Sequence, residues 1–571
     1  MVIAVPSPAC RGPCACPQPL RGVVREGMVS GKSLITVRRL SQIAFLALLL
    51  FLLHRTGLSA APQSGNIRLH GPVHLFFQLD PLIALTNALA TRALYRGLLF
   101  ALVILVPTLF LGRFFCGWIC PLGTIHQFFG SLKWPAKRGA ALIESNRYKS
   151  WQTTKYYLLL AVLVAALFGV GIVGWLDPFS LLVRSLGLSI LPAFNYAVNA
   201  AFAPLEHLHL TAVAVPAAWL HGLLRSTVLD FRQPYYLRGF LLGILFLTLL
   251  ATNLRVTRFW CRALCPLGAL LGSVSRWSIL GLHKDAATCD RCNRCELHCQ
   301  GGDDPIGASP WRKSECLLCM NCVPSCPHGS LSFRLLQRKT GIEHPNLDRR
   351  KALTGLAAGA MALPLFRATP GLARGRDEHL IRPPGALDET DFLSRCIRCG
   401  ECMKVCPNNS LHPTLTEAGM EGLWTPMLVP NIGYCEPSCV LCSESCPTGA
   451  IWKLTPQQKG WVAGGVTTNP VRLGTAFHDR SRCLPWALDT QCIVCEEWCP
   501  VSPKAIFVKE VQVVDRTGNT VTLKQPHVDA QRCVGCGACE YACPLQEHPA
   551  VYVTSIGESR SSANQILLNR N

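Results

Sequence analysis

The sequence contains none of the motifs with which common cofactor enzymes bind nucleotides. It has no glycine-rich phosphate loop and no G-x-G-x-x-G fingerprint placed between a strand and a helix. It also has no nucleophile whose surroundings match a known triad signature. These absences argue against an NAD- or flavin-linked reductase, unless a partner protein supplies that module.

Charged residues are also scarce, at 16% of the chain, whereas hydrophobic residues make up 50%. Over 571 residues, this balance predicts membrane segments beside soluble domains. The formal net charge is +21. The basic residues lie beside apolar runs and form no stripe with aromatic residues, which argues against nucleic-acid binding. The first apolar run begins near Leu40, behind a basic lead, so we expect no cleavable signal peptide at the start.

Cysteine, by contrast, is abundant, with 31 residues, and 24 of them fall into six groups of four. Four groups follow the C-x2-C-x2-C-x3-C spacing of bacterial ferredoxins, and the other two lengthen only the first gap. A proline follows five of the six groups. In chain order the groups are Cys289, Cys292, Cys295 and Cys299; Cys316, Cys319, Cys322 and Cys326; Cys396, Cys399, Cys402 and Cys406; Cys435, Cys439, Cys442 and Cys446; Cys483, Cys492, Cys495 and Cys499; and Cys533, Cys536, Cys539 and Cys543.

This spacing predicts six [4Fe–4S] clusters, because three thiolates on one tight loop can hold three corners of a cubane. Zinc ribbons instead use two C-x2-C pairs a dozen or more residues apart, and cysteines this close in sequence form disulfides poorly. The fourth cysteine of each group should serve the neighbouring cluster, so that the groups exchange ligands in three consecutive pairs. Two positions depart from the usual ferredoxin motif. Gln300 stands where a proline is usual, and Cys483 lies far from the other cysteines of its group.

The predicted fold is a membrane α-helical bundle of four or six spans, joined to α+β ferredoxin-like [4Fe–4S] domains. Two weaker apolar runs, 181–203 and 211–224, contain prolines and account for the higher number. Basic residues cluster before the first span, after the second and after the last, which predicts that these three places and the first two clusters are cytoplasmic. The four stronger candidate spans are 40–58, 94–111, 156–176 and 236–250.

The membrane part contains an internal repeat. Residues 113–123 match residues 258–268 at seven of eleven positions, and each copy carries a C-x3-C-P motif. Soft thiols present in both copies indicate a further metal or redox-thiol site. In the alternative interpretation, each motif is only a turn at a helix end, and its cysteines and proline have a packing role. Packing of the two copies about a pseudo-twofold axis would bring together Cys116, Cys120, Cys261 and Cys265.

Arg349 and Arg350 precede a mild, alanine-rich apolar stretch that runs from Ala352 to Phe366. The segment resembles a twin-arginine export signal, a system that carries proteins already folded around their cofactors. The alternative is a basic linker followed by a short buried helix. Export would place the last four clusters in the periplasm.

These features predict six consecutive parts. Cys10, Cys14 and Cys16 belong to the first part, and we give them no ligand role. The parts are a disordered basic tail at 1–39, a transmembrane domain at 40–280, a cytoplasmic two-cluster domain at 281–340, the signal-like segment at 347–374, a four-cluster ferredoxin domain at 388–553 and a tail at 554–571.

The chain resembles a fusion of two known families. The part from Cys116 to Cys326, with its apolar spans and both C-x3-C-P motifs, resembles the NapH/MauN membrane ferredoxin proteins. The part from Arg349 to Cys543 resembles the NapG/MauM ferredoxin-type proteins, through the paired arginines, the Arg-Pro-Pro-Gly-Ala stretch at 382–386 and the motifs that begin at Cys396 and Cys483. The resemblance implies a bacterial cytoplasmic-membrane protein that takes electrons from quinol and passes them to a periplasmic reductase, such as nitrate reductase, or to a cytochrome c.

One alternative function remains open. A related group of membrane ferredoxins with similar C-x3-C-P motifs serves copper-oxidase maturation, and soft thiolates suit Cu(I). A copper- or cofactor-maturation protein would hold copper at the four C-x3-C-P cysteines, but it would leave four exported clusters without a purpose. We therefore expect an electron-transfer component without a substrate active site of its own.

Overall fold

A computed structural model describes most of the chain. The first thirty residues, with Cys10, Cys14, Cys16 and most of the predicted basic tail, lie outside the described residues. The described residues are 31–58, 69, 74–93, 95–132, 139–207, 211–227, 229, 233–303, 311–335, 347–367, 377–462, 465–466, 470–514, 518–561 and 564–565.

The first part of the chain, up to Ser275, forms a helical body that we call the bundle. Proline is the first residue of four of its helices, where its missing N–H group costs no hydrogen bond. The helices are α1 Gly31–Leu58, α2 Leu75–Gln78, α3 Pro81–Thr91, α4 Leu102–Leu111, α5 Phe114–Trp118, α6 Pro121–Ser131, α7 Ala140–Asn146, α8 Thr154–Leu167, α9 Val173–Leu176, α10 Pro178–Ser185, α11 Leu191–Glu206, α12 Thr211–Thr227, α13 Gly239–Ala251, α14 Phe259–Ala263 and α15 Pro266–Ser275.

Two helical stretches among the described residues are long and apolar enough to cross a membrane, Ser33–Thr56 and Pro178–Glu206. Four shorter apolar helices accompany them, so the prediction of four or six spans stays a prediction. The predicted span 156–176 is interrupted, because Gly169 adopts φ +74° and ends α8. The run 181–203, which looked weaker in the sequence, belongs to the longer stretch, where a π-helical turn precedes Pro192 and accommodates the missing N–H donor.

Beyond Ser275 the chain forms short helices and two-stranded antiparallel sheets. Residues 505–508, predicted from their β-prone composition, open the longest of these hairpins, in which Ile506 pairs with Val528. The later helices are α16 Arg294–Leu297, α17 Cys322–Ser325, α18 Arg349–Arg367, α19 Glu389–Arg395, α20 Glu401–Lys404, α21 Leu441–Glu444, α22 Pro456–Lys459, α23 Leu484–Ala487, α24 Val494–Glu497 and α25 Ala538–Tyr541. The strands are β1 Leu280–Lys284, β2 Leu331–Leu335, β3 Leu411–Pro413, β4 Pro426–Leu428, β5 Trp461–Val462, β6 Gly465–Val466, β7 Thr475–His478, β8 Ile506–Val514, β9 Thr520–Val528 and β10 Val551–Thr554.

The two cysteine-rich parts contact α1 near its opposite ends. Near the start of α1, Arg38 Nη2 donates a hydrogen bond to Asn321 Oδ1 at 3.1 Å. Near its other end, Thr56 Oγ1 donates to Glu401 Oε2 at 3.3 Å. Eighteen residues separate Arg38 from Thr56, which corresponds to about 27 Å of helix. The bundle therefore separates the first eight grouped cysteines from the last sixteen.

The twin-arginine-like segment forms α18, which packs along α8 in the same direction. A Cβ atom added at Gly355 would lie 3.1 Å from the carbonyl oxygen of Tyr157, and one added at Gly359 would lie 2.6 Å from that of Ala161. Ala362 packs on Ala165 one turn further along. The Gly-x-x-x-Gly spacing thus allows the two backbones to approach closely, as in helix pairs within membranes.

Glu389 joins the beginning and the end of the last cysteine-rich part. Its carboxylate accepts hydrogen bonds from Arg382 Nη2 at 2.5 Å and from Arg560 Nη1 at 2.8 Å. Burial opposes ionisation, but the charges of Arg382 and Arg560 outweigh it and lower the pKa of Glu389 to about 2. The carboxylate contributes stability fully above its unfolded pKa of about 4.3, and the contribution is lost as the pH falls toward 2.

We therefore expect Glu389→Gln to lower the free energy of unfolding at pH 7 by roughly 2–3 kcal/mol, and the difference from the parent protein to shrink as the pH falls from 5 to 3. Thermal unfolding of both proteins at each pH measures this difference. Acid damage to clusters affects both proteins alike. A difference that stays constant across the pH range would contradict the assignment.

Candidate iron–sulfur centres

The structure brings the cysteines together in sets of four that mix consecutive groups. Each set takes three thiols from one group and the fourth from its partner group, as the ferredoxin spacing predicts. We number the sets by the group that supplies three thiols. Contacts among the thiols define five of them: site 2, Cys316, Cys319, Cys322 and Cys299; site 3, Cys396, Cys399, Cys402 and Cys446; site 4, Cys435, Cys439, Cys442 and Cys406; site 5, Cys483, Cys492, Cys495 and Cys543; site 6, Cys533, Cys536, Cys539 and Cys499. Site 1, with Cys289, Cys292, Cys295 and Cys326, stays a prediction from the same spacing.

Site 3 illustrates how the local sequence builds such a set. Cys396 and Cys399 lie on the loop that joins α19 to α20, Cys402 lies in α20, and all four thiols line one cavity. The loop turns sharply because Arg398 and Gly400 both adopt positive φ, at 55° and 84°. The thiols of Cys399 and Cys402 interact electrostatically with Cys446, which comes from the fourth group. The exchanged ligand therefore links two loops that lie forty residues apart.

Site 4 contains a buried cation that no sequence motif indicates. Lys459 Nζ donates hydrogen bonds to the carbonyl oxygens of Glu436 at 2.5 Å and of Cys439 at 2.7 Å. Its charge acts on the thiols of Cys435, Cys439 and Cys442. A positive charge held against a cluster favours its more reduced, more negative state. Lys459 is thus positioned to tune site 4.

Site 5 includes Cys483, the cysteine that is most isolated in its sequence motif. Although eight residues separate Cys483 from Cys492, its thiol interacts electrostatically with those of Cys492 and Cys543. All four thiols of site 5 line one cavity, which His478 and Pro526 also border. Cys483 precedes α23, and this helix occupies the long gap in the motif. The structure therefore groups Cys483 with its expected partners.

The thiols are held in surroundings that favour the neutral form. Burial raises the pKa of the Cys439 and Cys536 thiols to about 12. A thiolate in such a place needs a compensating positive charge, which bound iron supplies. No three His, Cys, Asp or Glu side chains within the described ranges lie close enough to hold a single metal ion. All-thiol sets spread around a cavity fit a cluster better than one ion.

The order of sites in space differs from their order along the chain. Sites 3 and 4 adjoin, since Cys402 interacts with Cys442, and sites 5 and 6 adjoin through Cys495 and Cys539. Between the pairs, the Cys435 N–H donates to the Cys536 carbonyl oxygen at 2.8 Å. Site 4 therefore contacts site 6, and the series runs 3, 4, 6, 5.

Site 3 contacts the bundle through its loop. Arg184 Nη1, on α10, donates to the carbonyl oxygen of Arg398 at 3.0 Å, and Arg398 donates in turn to the carbonyl oxygen of Gly171. The carbonyl oxygen of Ile397 lies against Gly174, where no side chain would fit. Two glycines and two buried arginines thus seat the site 3 loop on the bundle.

Site 2 contacts the other end of the bundle in a comparable way. The indole Nε1 of Trp118 donates to the carbonyl oxygen of Leu318 at 3.0 Å, and Arg113 Nη1 donates to that of Ser314 at 2.6 Å. Gly117 leaves room for the backbone of Leu317. These contacts place the site 2 loop directly on α5, beside Cys116.

A buried charge cluster around Glu315 completes this contact. Glu315 forms an ion pair with Lys155 and accepts a hydrogen bond from Tyr156 Oη at 2.9 Å, and Arg113 Nη1 lies 4.0 Å from its carboxylate. The charged side chains are at most 2% exposed. Removal of one member would leave buried charges without compensation.

We therefore expect Glu315→Ala to destabilise the protein by about 3–5 kcal/mol and to release the iron of site 2. Glu144→Ala is the matched control, since Glu144 is 62% exposed and pairs with Arg147 and Lys149 on the surface. Its effect should stay below about 1 kcal/mol. Thermal unfolding and iron content measure both variants, and equal losses would contradict a special role for Glu315.

The two C-x3-C-P motifs meet inside the bundle, as the repeat predicts. The thiols of Cys120 and Cys265 interact electrostatically with those of Cys116 and Cys261. We call these four residues the repeat quartet. Cys120 and Cys265 precede the first residues of α6 and α15, and the Gly268 N–H donates to Cys265 Sγ at 3.2 Å. Helix N-termini favour thiolate over thiol.

Two arginines, at equivalent positions of the repeat, reach across to the opposite copy. Arg258 Nη1 donates to the carbonyl oxygen of Cys116 at 3.0 Å. Arg113 extends toward the second copy, where its Nη2 lies 2.9 Å from the Cβ position of Gly268. Both side chains are buried. The pseudo-twofold arrangement therefore places two positive charges beside the repeat quartet.

Comparison with known families identifies iron–sulfur domains in four places. A family described as "4Fe-4S binding domain" matches residues 93–138 and 238–282, which contain the repeat quartet. Two further families with the same description match residues 392–412 and 524–545. The chain therefore contains [4Fe–4S] ferredoxin domains.

Relatives among characterised proteins match part of the chain. The ferredoxin-type protein NapG of Escherichia coli K12 is 34% identical over 202 residues, which cover 35% of this chain and 79% of NapG. The methylamine utilization ferredoxin-type protein MauM of Methylorubrum extorquens is 34% identical over 208 residues, which cover 35% of this chain and 85% of MauM. YccM of Escherichia coli, a protein with a provisional electron-transport assignment, is 28% identical over 284 residues, which cover 48% of this chain and 65% of YccM. No solved structure matches the chain.

Proposed function

We propose a membrane electron-transfer function for this chain, which belongs to the family of the NapG and MauM ferredoxin-type proteins. Electrons from membrane quinol would pass through six [4Fe–4S] clusters at sites 1 to 6 to a periplasmic reductase or a cytochrome c. Such clusters supply one-electron transfer without proton chemistry of their own. The observation that carries the proposal is the series of thiol sites that begins on the bundle at site 3 and ends at site 5.

A membrane location is supported by the surface of the bundle. Helices α4 and α13 expose large apolar side chains, among them Val103, Phe110, Phe240 and Ile244. Contiguous exposed apolar surface is rare in soluble monomers and suits contact with lipid. The distance of about 27 Å between the two contacts on α1 is close to the thickness of a hydrocarbon core. Sites 1 and 2 would then lie on one side of the membrane and sites 3 to 6 on the other.

The orientation follows from the positive-inside rule. Arg38 and Arg39 stand at the start of α1, beside site 2, and Arg255 and Arg258 stand beyond α13 at the same end of the bundle. Cytoplasmic loops carry such excesses of basic residues. We infer that sites 1 and 2 are cytoplasmic and sites 3 to 6 periplasmic. Helix α18, which begins at Arg349 and Arg350, would carry the chain across.

The repeat quartet is proposed as an additional metal site. It lies beside α5, which the site 2 loop also contacts, so a redox-active metal there would connect site 2 with the interior of the bundle. Soft thiols suit an iron–sulfur cluster, whose corners are spread more widely than the ligands of one ion, and a single Cu(I) ion would require the four thiols to move closer together. Copper in place of iron would favour the cofactor-maturation alternative. Metal analysis of a variant that lacks all four cysteines tests this, since unchanged iron and copper contents would exclude a metal at the quartet.

The decisive experiment is the anaerobic reduction of the protein in membranes by a quinol analogue, followed by low-temperature electron paramagnetic resonance. We expect signals of reduced [4Fe–4S] clusters and about 24 iron atoms per chain if six clusters are present. Clusters that stay oxidised with quinol but are reduced by dithionite would contradict quinol oxidation. Zinc, or far too little iron and acid-labile sulfide, would contradict the cluster assignment itself.

A further inference from the structure

A row of three aromatic side chains with a cation at each end lies beside site 5. The guanidinium carbon of Arg480 lies 4.3 Å from the ring centre of Trp486, and the rings of Trp486 and His527 are 5.4 Å apart. The row continues from His527 to Phe507, whose rings are 5.8 Å apart, and Lys509 Nζ lies 5.9 Å from the Phe507 ring. We call these five residues the site 5 face.

This face is the outer wall of site 5. The backbone N–H of Trp486 donates to the carbonyl oxygen of Cys483 at 3.0 Å, so its indole projects from the turn that begins at the ligand. The indole Nε1 donates to the carbonyl oxygen of Pro526, which borders the cavity of site 5. The half-buried Trp486 side chain is therefore held between the turn that begins at Cys483 and the strand that carries Pro526.

Site 5 stands at the end of the series 3, 4, 6, 5. Its thiols interact with one another and with site 6. An electron that enters the series from the bundle has site 5 as its last position within the chain. The next transfer must occur to another molecule, and the face lies beside site 5, where such a molecule can bind.

The composition of the face suits a protein partner. Tryptophan and arginine are the residues most enriched among those that dominate binding energy at protein interfaces. Arg480 and Lys509 are exposed cations, and the face contains no carboxylate. Beside it, Arg482 is exposed, and Lys524 pairs in register with Glu510, which reduces the net charge of that pair. Asp479, next to Arg480, interacts with Arg482 and offsets part of its charge, so Arg480 and Lys509 supply the positive charge of the face around an aromatic centre.

Resting on the proposed electron-transfer function, we propose that the site 5 face docks a redox protein with an acidic contact surface, which accepts electrons from site 5. Positive and negative surfaces steer such encounters, and the effect weakens as salt screens the charges. The accepting partner would be recognised by its acidic rim and by an exposed apolar group that packs on Trp486.

Two small acceptors of opposite charge test the electrostatics of this face. The full-length protein is reduced with dithionite, so the test does not depend on quinol. Its oxidation is then followed by stopped flow with hexacyanoferrate(III) or with tris(phenanthroline)cobalt(III). Each metal complex takes one electron from a reduced cluster and becomes iron(II) or cobalt(II). At low salt, Arg480→Glu combined with Lys509→Glu should slow the anionic acceptor at least about fivefold and accelerate the cationic one.

Three controls make the outcome specific. Lys453→Glu, which reverses an exposed lysine whose charge acts on His74 of the bundle, should change neither rate appreciably. Cys495→Ala, which removes site 5, should slow oxidation by itself, and the charge reversals should then have no further effect. Raising the salt to 0.5 M should reduce the difference between the two acceptors. Equal rates in the parent and the charge-reversed protein would overturn the docking proposal and leave quinol reduction, which is measured separately, untouched.

Discussion

A chain in which Cys399 is replaced by alanine is expected to lose reduction of sites 4, 5 and 6 by a quinol analogue. Site 3 is the set whose loop rests on the bundle, through Arg184 and Gly174, so its loss interrupts the series at its first member. The clusters of the other sites should still accept electrons from dithionite. Low-temperature electron paramagnetic resonance with each reductant measures both outcomes.

Cys536→Ala provides the matched comparison, because it removes site 6 from the same series. Quinol should still reduce sites 3 and 4, while site 5 stays oxidised, since the contact between Cys435 and Cys536 is the connection that leads to it. If site 5 is reduced in this variant, electrons follow the order of the chain and the spatial order proposed here is wrong. Iron content should fall by one cluster in each variant.

Removal of iron is expected to unfold the last cysteine-rich part, from about residue 377 to 561, while α8 stays folded. The core of this part consists largely of cysteines and of aliphatic side chains packed between the sites, such as Leu411, Ile451 and Val551. Its sheets have only two strands each, and a hairpin of this kind is marginal alone. The binding energy of the clusters is therefore a large part of the folding energy.

Hydrogen exchange followed by mass spectrometry tests this directly. After chelation of iron under oxidising conditions, peptides from β7, β10 and α19 should lose nearly all protection. Peptides from α8, which is packed between α15 and α18, serve as the internal control and should keep theirs. Retained protection in the iron-free part would mean that apolar packing alone suffices and that the clusters contribute little to its stability.

The grouping of the thiols could be predicted from spacing, because three cysteines on one loop and an exchanged fourth follow from local geometry. The prediction holds even for Cys483, which is eight residues from its nearest partner, because a short helix occupies that gap. The meeting of the two repeat copies was likewise predictable from their sequence identity. These features depend on short segments or on symmetry.

The order of the sites could not be predicted, because it depends on which faces of the two ferredoxin pairs pack together. Gly537, within the site 6 motif, permits that contact by leaving space for Pro430. Nothing in the motif spacing indicates which surface this glycine faces. Lys459 was missed for a similar reason, since it lies seventeen residues after Cys442 and reaches site 4 only through the fold. The break of α8 at Gly169 was missed because hydropathy averages over single glycines.

The close pairing of α8 with α18 has a consequence for how the two ends of the molecule stay together. Nineteen helical residues form a strut of roughly 28 Å, and its packing on α8 makes this part of the linkage between the two ferredoxin parts stiff. A rigid tether keeps the local concentration of the last part at its docking position very high. Contacts too weak to hold two separate polypeptides together would therefore keep the last part docked on the bundle. Cleavage of the linker would weaken this docking only because the local concentration of the last part would fall.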